Sequence, residues 1–190
     1  WAQVVRSWTL ALAGRTDEAF AVADLLARDP ERGGIGLYLA NRLAHYYDRG
    51  RRVRTAEALA EALPEEPGRW TDLAAVREWA DDLPGAELAL ARARALGAGQ
   101  DDLADVEAQL AIARFDLETA VRQGRRLLSS ASANRRLAGQ VTLYAVDVLR
   151  GAFGQAAERA PALRAALRAA SQLAAVEQAL ALATDAFARG

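Results

Sequence analysis

The sequence predicts an all-α fold, an α-solenoid of stacked antiparallel helix hairpins, about five and a half repeats within residues 1–190. Three observations predict it. Ala19, Ala56, Ala86, Ala120 and Ala156 recur 30 to 37 residues apart. Each is followed four positions on by a small or aliphatic residue (Ala23, Ala60, Leu90, Gly124, Ala160) and seven positions on by another (Leu26, Leu63, Ala93, Leu127, Leu163). Offsets of 0, 4 and 7 trace one stripe down a helix, so five helices present the same narrow apolar edge to a neighbour. Helix stops recur at equal offsets too: Pro30 and Pro67 fall eleven residues after their alanines, and Gly97 takes that place in the third unit.

The elements follow in order. The first pair is predicted near 2–13 and 17–28, joined by Gly14-Arg15-Thr16-Asp17-Glu18, which puts a glycine at one helix end and capping or acidic residues at the next start. The second pair, 35–49 and 53–63, is preceded by Gly33-Gly34-Ile35-Gly36; with neither the lysine nor the leading strand of a phosphate-binding loop, this stretch reads as a joint between hairpins. The third pair, 69–81 and 85–96, turns through Asp81-Asp82-Leu83-Pro84, with proline in the first turn of its second helix. The fourth pair is expected at 102–113 and 117–130. The fifth, 135–150 and 154–169, repeats from Gly151 the glycine spacing of the first turn. A last helix near 172–188 is left unpaired and closes like a first helix, so the protein is expected to continue past Gly190 with its partner. The start at Trp1, with no methionine or leader, is likewise expected of a piece of a longer chain.

Composition agrees with helices. Hydrophobic residues make up 52%, mostly alanine and leucine, with few β-branched residues to favour a sheet. The net charge is −1 and every one of the 24 basic residues is arginine, a balance that suggests neither a nucleic-acid-binding nor a polyacidic role and looks like a GC-rich bacterial coding bias. Cysteine is absent, which removes disulfides, thiolate metal sites and cysteine nucleophiles together. Charged residues interrupt every apolar stretch before it reaches membrane-spanning length, so a soluble, cytoplasmic chain is expected.

Within these units the sequence resembles the tetratricopeptide repeat, whose signature runs Trp-x2-Leu-Gly-x2-Tyr, then Ala-x3-Phe, then Pro. Trp70-Thr71-Asp72-Leu73-Ala74 matches its opening, Leu43-Ala44-His45-Tyr46-Tyr47 its middle, and the spaced alanines with Pro30 or Pro67 its close. No unit carries the whole signature: Arg77 stands where an aromatic is expected, Tyr144 where a small residue is. Ser7, Ala44, Ala74 and Ala108, each twelve before its alanine, supply the small side chain needed where two helices approach closely. The resemblance implies a TPR-like superhelix with the first helix of each hairpin on the concave face.

Counting back fifteen, eleven and eight from each alanine places Trp8 with Val4 and Ala11, then Asn41, His45 and Asp48, then Thr71, Ala75 and Glu78, then Asp105, Gln109 and Ile112 on that face, with Arg49 and Trp79 one position farther along. Trp8, Asn41, His45, Asp48, Arg49, Thr71, Glu78, Trp79, Asp105 and Gln109 are thus the candidate partner-binding residues; the alternative is an ordinary solvated helix face. Without lysine, a clamp for a chaperone-type C-terminal carboxylate is not expected, although Arg49 can meet an acidic group bidentately.

No catalytic site is expected. His45, with Asp48 and Arg49 close behind, lacks a nucleophile and a second base. One histidine and no cysteine leave only carboxylates as further metal ligands, so neither metal nor other cofactor is assigned. Asp81-Asp82 and Asp101-Asp102 sit at helix boundaries, where capping explains them. Arg51-Arg52-Val53-Arg54, Arg125-Arg126 and Arg135-Arg136 are separated by acidic segments and read as solvated charge. The expected function is a non-enzymatic scaffold binding a protein or peptide partner, or another domain of its own parent chain, with no nucleic acid or membrane. The alternative is a regulatory or sensor segment of a larger bacterial signalling or transcription-regulatory protein.

Overall fold

A computed structural model describes residues 2–169, and every regular element among them is helical. They are α1 (Ala2–Leu12), α2 (Thr16–Ala27), α3 (Gly33–Tyr47), a 3-10 turn (Arg49–Arg51), α4 (Arg52–Ala62), α5 (Pro67–Trp79), α6 (Leu83–Ala95), α7 (Gln100–Ala113), α8 (Leu117–Leu128), α9 (Ala133–Leu149) and α10, helical from 153 to 169. The helices predicted from the spaced alanines all form, within a few residues of their expected ends. The helix expected near 172–188 lies outside the described residues.

The chain falls into two compact units, Trp1–Ala98 and Gly99–Gly190. In the first, each helix from α1 to α6 packs on the next in the chain, and α1 also touches α3. In the second, α7, α8 and α9 pack in succession and α7 also touches α9. In each unit, then, a first helix reaches the first helix of the following pair.

The alanine stripe forms the core. Ala19, Ala56, Ala86, Ala120 and Ala156 are all buried, as are Ala23, Ala60, Leu90 and Gly124 four positions on. The small residues twelve before them, Ser7, Ala44, Ala74 and Ala108, are fully buried. Two glycines stand where neighbouring helices leave no room for a side chain. At Gly36 a Cβ would stand 2.1 Å from the backbone nitrogen of Ala27, so α3 crosses α2 there with no room for a side chain. Gly33-Gly34-Ile35-Gly36 is therefore the opening turn of α3 and not a joint; close packing, not flexibility, calls for its last glycine. In the second unit a Cβ on Gly139 of α9 would lie 2.7 Å from the carbonyl oxygen of Gly124 on α8.

The turns inside the pairs repeat one backbone device. Gly14, Asp81, Phe115 and Gly151, each five residues before its alanine, have φ of 76°, 63°, 59° and 71°. The next amide in each case reaches back to the helix: Arg15 to Leu10, Asp82 to Arg77, Asp116 to Ala111 and Ala152 to Asp147, at 2.8–2.9 Å. This is the left-handed helix close that satisfies the last carbonyls, made twice by glycine and twice by residues that strain to adopt it. Asp82 and Asp116 then cap the following helix, accepting from the amides of Gly85 and Thr119. The second pair departs: Asp48 accepts from the amides of Gly50 and Arg51, and the 3-10 turn replaces the left-handed residue.

Arg54, Arg125 and Arg126 are exposed, as a reading of solvated charge expects, but Arg51, Arg52, Arg135 and Arg136 are structural ties, which corrects that reading for them. Arg51 pairs with Asp48 and lies 4.4 Å over the ring of buried Phe20. Arg135 forks onto Asp102 and Asp105, joining the starts of α9 and α7, and Arg136 donates to the carbonyls of Ser130 and Ala131. Arg77, where an aromatic was expected, bonds Glu57 on α4 at 2.7 Å and the Gly85 carbonyl on α6 at 3.2 Å, joining three helices through one side chain.

Candidate functional site

In the first unit the side chains of α1, α3 and α5 that escape the core build one aromatic and cationic face. Trp8 of α1 meets Tyr46 and Tyr47 of α3 edge-on at 6.1 and 6.4 Å. His45 meets Tyr46 edge-on at 5.0 Å and lies tilted against Trp79 of α5 at 5.7 Å. Two guanidiniums stand over these rings: Arg42 at 5.2 Å from the Tyr46 centroid, with a 2.8 Å bond to its hydroxyl, and Arg52 at 5.4 Å from Trp79. Tyr46 and Trp79 remain 57% and 51% exposed, large amphipathic surfaces that water covers poorly.

Local folding fixes this row. The second pair lacks the left-handed close, so the last carbonyls of α3 take other donors: Arg52 reaches back from α4 to the carbonyls of Ala44 and His45. That bond holds the guanidinium over Trp79. A cleft of about 100 Å³ opens between α3 and α5, where Asn41, Arg42, His45, Asp72 and Trp79 face one another. Burial and the charges of Arg52 and Arg42 hold the His45 imidazole below its ordinary value. Glu78 is pushed the other way, up from the carboxylate range, by burial and by Asp81.

Beside the row, a second cleft of about 280 Å³ runs between α1 and α3 to the end of α4 and the start of α5. Val4, Trp8, Ile35, Tyr38, Leu39 and Leu63 make its walls. Gly34, Arg42 and Arg69 complete its lining, Arg69 lying 5.3 Å over the Tyr38 ring.

The expected site residues divide. Trp8, Asn41, His45 and Trp79 come together on this face, and Arg49 is exposed beside Arg52 and Trp79 in an adjoining cleft. Asp48 is occupied as the cap of the 3-10 turn and partner of Arg51. Thr71 is buried and donates to the Gly68 carbonyl at 2.9 Å, serving its own helix. In the second unit Asp105 is committed to Arg135, and Gln109 donates to Asp105 at 3.1 Å. Counting back from the alanines missed Tyr38, Arg42 and Tyr46. Their spacing of four and four, two rings around a cation, is a stripe visible in the sequence one position off the counted face.

No three carboxylate or histidine side chains among the described residues gather as a metal-ligand set, and no described helix is long and apolar enough to cross a membrane. Comparison with protein-family models, curated proteins and solved structures returns no match.

Proposed function

We propose that this chain is a non-enzymatic protein-interaction scaffold of stacked, TPR-like helical hairpins, and that the α1–α3–α5 face receives a peptide or partner domain. The carrying observation is the row Trp8, Tyr46, His45 and Trp79 with Arg42 and Arg52 above its rings. Half-exposed tryptophan and tyrosine beside arginine are the side chains that dominate interfaces, because they bury much area at little entropic cost. The hairpin reading is supported by the recurring left-handed turn, the buried alanine seam and the contacts of α1 with α3 and of α7 with α9.

The test is affinity capture with the wild type against a Tyr46→Ala/Trp79→Ala double variant, with Leu25→Ser, exposed on α2, as the surface control. A partner retained by the control and lost by the double variant supports the proposal. Partners bound equally by all three, with Asn41→Ala, His45→Ala and Glu78→Ala also silent, overturn it.

A further inference from the structure

The cleft beside the aromatic row has a chemistry that a partner surface does not require. Its walls are Val4, Trp8, Ile35, Tyr38, Leu39 and Leu63, with a guanidinium on each side. At about 280 Å³ it lies near the lower end of small-molecule sites, and it shares their pattern of apolar walls with few polar groups. One of those groups, Arg42, gives its hydrogen bond to the neutral Tyr46 hydroxyl, and the carboxylate across the neighbouring cleft, Asp72, is paired with Arg69. Arg69, by contrast, is paired with Glu66 and Asp72. The cleft therefore joins an apolar slot to one cation that a carboxylate can still engage.

We infer that this cleft binds a medium-chain aliphatic carboxylate, its chain along Trp8, Ile35 and Leu63 and its head on Arg42. Charge complementarity selects the anion, since a guanidinium meets a carboxylate bidentately. The size of the slot selects a single chain over a folded partner. Each methylene buried adds about fourfold to affinity, so binding strengthens stepwise with chain length until the slot is full.

Gly34 supplies the decisive variant. It lines the cleft, and a Cβ built on it meets nothing within 4 Å, so Gly34→Leu adds an apolar side chain at the cleft wall without a clash in α3. The experiment is calorimetric titration of the wild type, Gly34→Leu and Arg42→Gln with octanoate, decanoate and decyltrimethylammonium, each below its micelle concentration. The expected result has three parts. Decanoate binds the wild type about tenfold or more tighter than octanoate; Gly34→Leu loses binding with its melting temperature kept; Arg42→Gln weakens decanoate about tenfold. Equal binding of decyltrimethylammonium and decanoate, binding indifferent to Gly34→Leu, or none by the wild type overturns the inference. The two proposals share Trp8 and Arg42 but fail separately, since Gly34→Leu leaves Tyr46 and Trp79 in place and the Tyr46→Ala/Trp79→Ala variant leaves Gly34 and Arg42 in place.

Discussion

The hydroxyl of Ser7 on α1 donates a 2.8 Å hydrogen bond to the backbone carbonyl of Ala19 on α2, and both residues are fully buried. Serine therefore does two things at the position where Ala44, Ala74 and Ala108 stand in the later pairs: it is small enough for the crossing, and it fastens one helix to the next.

Ser7→Ala keeps the size and loses the bond, and is expected to cost about 1 kcal/mol in a urea melt. Ala74→Leu overpacks the α5–α6 crossing and should cost about 1–3 kcal/mol, seen as a lower melting temperature. An unchanged midpoint for Ala74→Leu would remove the basis for pairing these helices through their small residues.

Gly34 and Gly36, two positions apart on α3, should respond in opposite directions. A Cβ at position 34 enters open space, so Gly34→Ala gains about 0.4–1 kcal/mol from lost unfolded-state freedom. At position 36 it strikes the α2 backbone, and Gly36→Ala should cost about 3 kcal/mol or more as the helices are forced apart. Denaturant midpoints of the two variants measured side by side decide this.

Phe115 holds φ of 59° with its ring 72% exposed, in a turn whose counterparts at positions 14 and 151 are glycine. The exposed ring contributes little there, whereas the left-handed backbone costs a side-chain-bearing residue about 1–2 kcal/mol. Phe115→Gly is accordingly expected to raise stability by about 0.5–1 kcal/mol, part of the relief being offset by glycine's greater freedom when unfolded. A lower melting point for Phe115→Gly would contradict the strain.

Burial and two neighbouring arginines depress His45 below the 6.5 of a free imidazole, so the unfolded chain takes up a proton that the folded one resists. The stability this confers is complete above pH 6.5 and is lost as pH falls through the lower, folded value. Melting temperatures from pH 7.5 to 5 should therefore decline more steeply for the wild type than for His45→Gln. Parallel curves would refute the linkage.

The helices were legible because the seam of small residues runs through every pair and proline or glycine stops and closes mark several of the boundaries as well. Phe115 and Asp81 were not recognisable as left-handed, since only the hydrogen bonds of the turn reveal what sequence assigns to glycine. The site was legible in part. Trp8 and His45 lie on the counted face and Trp79 one position beyond it, whereas Thr71 is buried and bonded within its own helix. Arg51 over Phe20, Arg77 with Glu57 and Arg135 with Asp102 reach partners 20 to 33 residues away, a separation at which periodicity within one helix carries no information.

Arg52 stands on Trp79 with one face while its Nε shares the Ala44 carbonyl with the amide of Asp48. A molecule that displaces the guanidinium from the indole loosens the last turn of α3, and one that clamps it there tightens that turn. Occupancy of the indole is therefore expected to register in the hydrogen exchange of the Asp48 amide, which shares the Ala44 carbonyl with Arg52.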